Sequence, residues 1–153
     1  MVSAMNVANY FLQKANNEGD LLTNLKIQKL LYYAQAWYLV NFKSSLFGEN
    51  IIAWNLGPVV QEIYDEFKKF GASPIIYKET NTEANFFTVE QKEFLDEFYD
   101  IFIKFSAHEL VNMSHNELPW KDAIKSSNKI ISTDSIKKYY TELLNDDNKK
   151  SKK

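Results

Sequence analysis

Residues 24–40 read NLKIQKLLYYAQAWYLV, a run too long and too free of Gly and Pro to be anything but a helix. Ile27, Leu30, Leu31, Ala34 and Tyr38 fall on one stripe at helical spacing, the width of face that a helix buries against a core. Asn24, Gln28 and Gln35 form a purely polar strip. A third face carries Lys26, Lys29, Tyr33 and Trp37, so that two ammonium groups lie beside two large amphipathic rings. That face has two readings. In one, the lysine stems run along aromatic surface and the rings pack under neighbouring helices; in the other, cations and aromatics together make a partner-binding patch.

On the N-terminal side, residues 5–15 place Val7, Ala8, Phe11 and Leu12 at helical spacing and predict a first short helix, stopped by Asn16, Asn17 and Gly19. Thr23 stands where an N-cap of the long helix belongs. On the C-terminal side, residues 50–54 (NIIAW) are a short apolar run with β-branched residues, readable as a strand or an extended connector. In Gly57-Pro58 the glycine suits a tight turn and the proline the first turn of a helix, which would carry Val60, Ile63, Tyr64 and Phe67 on one face and stop at Gly71.

Residues 72–87 are the least regular stretch, with a predicted short strand at 75–78 and an exposed polar loop after it. Thr88 with Gln91 and Ser106 with Glu109 each make a capping box, so the helical region from 88 to 113 is expected to break near Ser106. Pro119-Trp120 begins a further short helix, Ile130-Ile131 extends briefly, and Ser132 or Thr133 caps a last helix bearing Ile136, Tyr139, Tyr140, Leu143 and Leu144. Residues 146–153 (DDNKKSKK) are expected to be an unstructured, Lys-rich tail. The expected architecture is mainly α: a single compact multi-helix domain over residues 1–145, with at most a short two-stranded β element.

Composition narrows the function classes. At 153 residues and 45% hydrophobic content, the chain has apolar mass for one well-filled core. With no cysteine, thiol nucleophiles, disulfides and cysteine-ligated metals are excluded. The absence of a basic leader or a membrane-length apolar run sets the expectation of a soluble, cytoplasmic protein. All 18 basic residues are Lys and none is Arg, and without the tail the body holds 14 Lys against 18 Asp and Glu. The bidentate fork that reads guanine edges and phosphates is therefore missing, which argues against nucleic-acid recognition.

Candidate chemistry concentrates in HELVNMSHNE, residues 108–117, where His108, His115, Glu109 and Glu117 lie close in sequence. Two imidazoles and two carboxylates suit zinc binding or acid–base work. Their spacing disagrees with the zinc helix, which needs its histidines four apart rather than seven. Glu109 is already engaged by its capping box. No Gly-rich phosphate loop exists, so neither metal nor cofactor is expected.

Four pieces of the chain occur together in one family: LKIQKLLYYAQAW (25–37), IAWNLGPVV (52–60), MSHNELPW (113–120) and ISTDSIKKYY (131–140). In their order and spacing the chain resembles the Panacea antitoxin domain, also described as SocA-like or as phage-associated GepA-type proteins. The one visible departure, Ile27 where the family usually has Leu, is conservative. The resemblance implies a mostly helical domain that neutralises an adjacently encoded toxin by direct binding, without catalysis or cofactor. A protease is a further partner proposed for some members.

It also implies that Leu30, Leu31, Tyr32, Trp54, Gly57, Pro58, His115, Pro119 and Trp120, shared with the family motifs, are scaffold. Exposed members of the Lys26, Lys29, Tyr33 and Trp37 face, with Tyr77 in the variable loop, are then the expected toxin-binding residues. Two rival functions stand beside this one: a metal-dependent or acid–base enzyme centred on His115, Glu117 and Glu109, and a DNA-binding regulator of its own operon. The lack of a complete catalytic constellation argues against the first, and the missing Arg with an acidic body against the second.

Overall fold

The computed structural model describes residues 1–79 and 86–151, with side chains through residue 147. Its centre is α2 (Asn24–Phe42), which packs against α1 (Ala4–Glu18), α3 (Gln61–Phe67), α4 (Val89–Phe102), α5 (Ala107–His115) and α7 (Thr133–Ser151). Thr23 caps it as expected, its Oγ1 accepting from the Lys26 amide at 3.2 Å. Because neighbours surround α2, burial does not stop at one stripe: Asn24, Gln28, Lys29 and Gln35 are buried along with the apolar residues.

The buried amides act as pins between α2 and the chain that follows it. Gln35 accepts from the Leu46 amide at 2.8 Å and donates to the Phe47 carbonyl at 2.7 Å, while Gln28 accepts from the Val60 amide at 2.8 Å. Asn24 donates to the Tyr64 carbonyl at 3.2 Å. Each bond gives a backbone group of the following chain a side-chain partner from α2.

The β element has three strands, one more than the sequence suggests, in the antiparallel order β2 (Gly57–Val59), β1 (Ile51–Trp54), β3 (Ile130–Ile131). Gly57-Pro58 is therefore not the start of a helix. It opens an edge strand, with Ala53 opposite Pro58 and Trp54 opposite Gly57, and α3 begins only at Gln61. Pro58 fits an edge strand because its missing N–H is not needed there. Gly57 has φ +105°, a conformation that L side chains rarely adopt, and this lets the hairpin turn tightly over α2.

Both capping boxes are formed, Thr88 with Gln91 and Ser106 with Glu109, and the chain breaks between α4 and α5 as their positions predict. Pro119 lies in the first turn of α6 (Leu118–Ile124), and the Ser132 hydroxyl caps α7 by accepting from the Ser135 amide at 3.0 Å. Residues 75–78 are not a strand; the Ile75 amide instead donates to the Leu22 carbonyl at 2.8 Å, tying this segment to the start of α2. The polar loop expected beyond it lies largely at 80–85, outside the described residues. The last helix continues to Ser151, past the Asn145 boundary read from composition, because nothing in NDDNKKS is a Gly or Pro that would stop it.

Candidate functional site

The polar centre of the molecule is Glu117, in extended conformation just ahead of α6 and 8% exposed. Three tyrosine hydroxyls donate to its carboxylate: Tyr32 to Oε1 at 2.8 Å, Tyr140 to Oε1 at 2.7 Å and Tyr33 to Oε2 at 2.9 Å. Consecutive residues of α2 thus share one carboxylate with α7, and the loop before α6 is held to both. Burial raises the Glu117 pKa, and the three donors pull it back without cancelling the effect. Burial first, and then the carboxylate, raise the pKa of Tyr33, so its proton stays on the phenol.

The rest of MSHNELPW braces this centre. The His115 and Trp120 rings stack at 4.1 Å, and the Trp120 indole donates to the Trp54 carbonyl at 2.9 Å, fixing α6 to β1. Pro119 is buried. Ser114 is fully buried and donates to the Val111 carbonyl at 2.9 Å. Of the polar atoms here, His115 Nε2 is buried without a hydrogen-bond partner. His108 and Glu109 are exposed, and the Glu109 carboxylate accepts from the Ser106 amide at 3.0 Å, so these two residues are not brought to Glu117. Among the described residues no three His, Cys, Asp or Glu side chains gather as a metal site would require.

The face of α2 expected to meet a partner is mostly interior. Lys29 is 0% exposed and donates to the Pro58 carbonyl at 3.1 Å; burial lowers its pKa to about 7. Tyr33 is buried between the Glu117 carboxylate and the Phe102 ring, which it stacks against at 5.3 Å. These two residues are therefore corrected from surface to core, because the helix that carries them is covered on that side by β2 and α4. Lys26 is half-buried and donates to the Ile103 carbonyl at 2.8 Å; Trp37 is half-buried with its ring edge against Tyr140 at 5.0 Å. Tyr77 is half-buried against the core.

Of the motif residues read as scaffold, Leu30, Leu31 and Tyr32 are fully buried and Gly57 and Pro58 are buried, while Trp54 stays half-buried. The role of Tyr140 was not legible in the sequence, since it meets Glu117 across 23 residues and Tyr32 meets it across 85. The local signal was that IKKYY and LLYY each pair tyrosines beside the apolar residues of a helix.

The sequence profile of the family described as antitoxin SocA-like, Panacea domain, matches residues 27–121, which hold the first three of the four motif pieces almost entirely. The chain is also 39% identical over 75 residues to antitoxin SocA of Caulobacter vibrioides (strain NA1000 / CB15N). That stretch is 49% of this chain and 40% of the relative, so the similarity spans less than half of the curated protein. No solved structure matches the chain.

Proposed function

The chain belongs to the SocA-like antitoxin family through its Panacea domain, and from that premise we propose that it neutralises a cognate protein toxin by binding it directly and stoichiometrically. The observation that carries this reading is the family match over residues 27–121. The site geometry supports it: the buried carboxylate that a catalytic reading would use, Glu117, has its oxygens engaged by tyrosine hydroxyls from two helices. Such an arrangement holds elements together and commits both carboxylate oxygens to contacts within the fold.

Binding draws on surface rather than on the polar centre, with Trp37, Lys26 and Tyr77 as the half-buried residues able to contribute from the expected patch. Delivery of the bound toxin to a protease is a further step in this proposal. A cytoplasmic site of action accords with the absence of cysteine.

The test is co-expression with the product of the neighbouring reading frame. The expected result is rescue of growth together with co-purification of the two proteins at fixed stoichiometry. Rescue without a complex, or continued rescue by a surface variant that no longer binds, would overturn direct neutralisation. The protease step is read from the half-life of the toxin with and without this protein.

A further inference from the structure

A cleft of about 710 Å³ opens between the first turns of α2, the β1–β2 hairpin, α3 and the turn before β3. Its apolar wall is the Trp54 and Tyr64 pair, in edge contact at 4.8 Å, continued by Leu56, which is 58% exposed on the hairpin turn. The charge of its lining is one-sided. Among the described residues none that lines it is Asp or Glu, in a chain that carries 20 of them and a net charge of −2, whereas Lys29, Lys68 and Lys129 all border it.

The three lysines differ in role. Lys68 and Lys129 are exposed at the rim, and Lys29 lies behind the floor, where its ammonium is held by the Pro58 carbonyl. Lys68 pairs with Asp65 at 3.8 Å, a loose and largely solvated contact that a bound anion can replace. Cations over an apolar, aromatic wall attract an anion and simultaneously bury the group that bears it.

We infer that this cleft binds a ligand joining a carboxylate to an apolar or aromatic body. The aromatic pair stacks the body, Lys68 and Lys129 take the carboxylate as point charges, and Asn55 on the hairpin turn also lines the cleft. The volume suits a small organic acid or the last few residues of a peptide with a free C-terminus. This inference stands independently of toxin neutralisation.

The test titrates three probes into the isotope-labelled full chain and follows backbone, side-chain amide and indole signals by NMR: 3-phenylpropionate, a blocked tripeptide ending in phenylalanine with a free carboxylate, and the same tripeptide as its C-terminal amide. The expected result is that at least one acid shifts the signals of Trp54 and Asn55, with the amide about tenfold or more weaker, as loss of a charge-assisted contact implies. Binding of both acids places the recognition in the carboxylate and ring alone; binding of the peptide acid only assigns it to a polypeptide terminus. The double variant Lys68→Gln, Lys129→Gln, both positions being exposed, should weaken the acid while keeping the melting temperature. Equal binding of acid and amide, shifts that map elsewhere, or no shift with any probe would overturn the inference.

Discussion

Tyr140 on the last helix donates a 2.7 Å hydrogen bond to Oε1 of Glu117, which also accepts from Tyr32 at 2.8 Å. A single carboxylate oxygen thereby ties α7 to α2, and both groups are buried. The C-terminal third of the chain is thus held to the central helix by polar as well as apolar contacts, and this arrangement makes its own test.

Tyr140→Phe removes one of three donors and leaves Glu117 with two, so it should cost about 1–2 kcal/mol of stability. Glu117→Ala strands three buried hydroxyls at once and should cost more, about 3 kcal/mol or above. Urea unfolding of both variants measures the order; a Glu117→Ala protein as stable as Tyr140→Phe would show that the cage is not cooperative.

Stability should vary with pH in two windows of opposite sign. Burial raises the folded pKa of Glu117 above its ordinary 4.5, so its stabilising contribution is complete below that value and declines as pH rises through the raised pKa. Burial lowers that of Lys29 from 10.5 to about 7, so the unfolded chain holds the extra proton between these values and stability rises with pH across them. The slope from Lys29 is at most about 1.4 kcal/mol per pH unit. Lys29→Met should flatten the upper window, and Glu117→Gln the lower one. Unfolding free energies measured against pH for the parent and each variant check the signs.

Gly57 is constrained twice over. Its φ is +105°, and a Cβ added there would stand 2.7 Å from Lys29 Cε and 2.9 Å from Ser114 Oγ. Gly57→Ala should therefore destabilise by about 2–4 kcal/mol, more than backbone strain alone would give. Combining it with Lys29→Ala should recover only the part due to the Lys29 contact, which a double-mutant cycle separates from the strain and the Ser114 contact that remain.

The α2 face separates scaffold from surface. Tyr33→Ala opens a cavity in the core and should lose about 3–5 kcal/mol of stability, taking any toxin binding with it through unfolding. Trp37→Ala, at a half-buried ring, should weaken toxin binding by about 2 kcal/mol if the ring is an anchor, and Lys26→Ala should chiefly slow association. Each variant's affinity is read beside its melting curve. Stable variants that bind like the parent would move the docking surface away from α2.

Local pattern determined much of this protein without any partner in space. The capping boxes at Thr88 and Ser106, the Thr23 cap, the left-handed Gly19 and the break before α5 all depend on residues within a turn of one another, and each is formed where the sequence places it. The family motifs were equally legible. What only the tertiary structure decided is how the polar residues of those elements are used. Gly57-Pro58 has the composition of a helix start and becomes an edge strand because Ile51–Trp54 lies beside it to pair. Lys29 and Tyr33 have the look of a surface face and are core because α2 is enclosed by other helices and by β2. Glu117 has no neighbour in sequence that foretells three tyrosines. Spacing along one helix sets which residues share a face, but whether that face meets water is set by distant segments, and burial is what turns a lysine, a tyrosine or a carboxylate from a contact surface into a hydrogen-bonded part of the core.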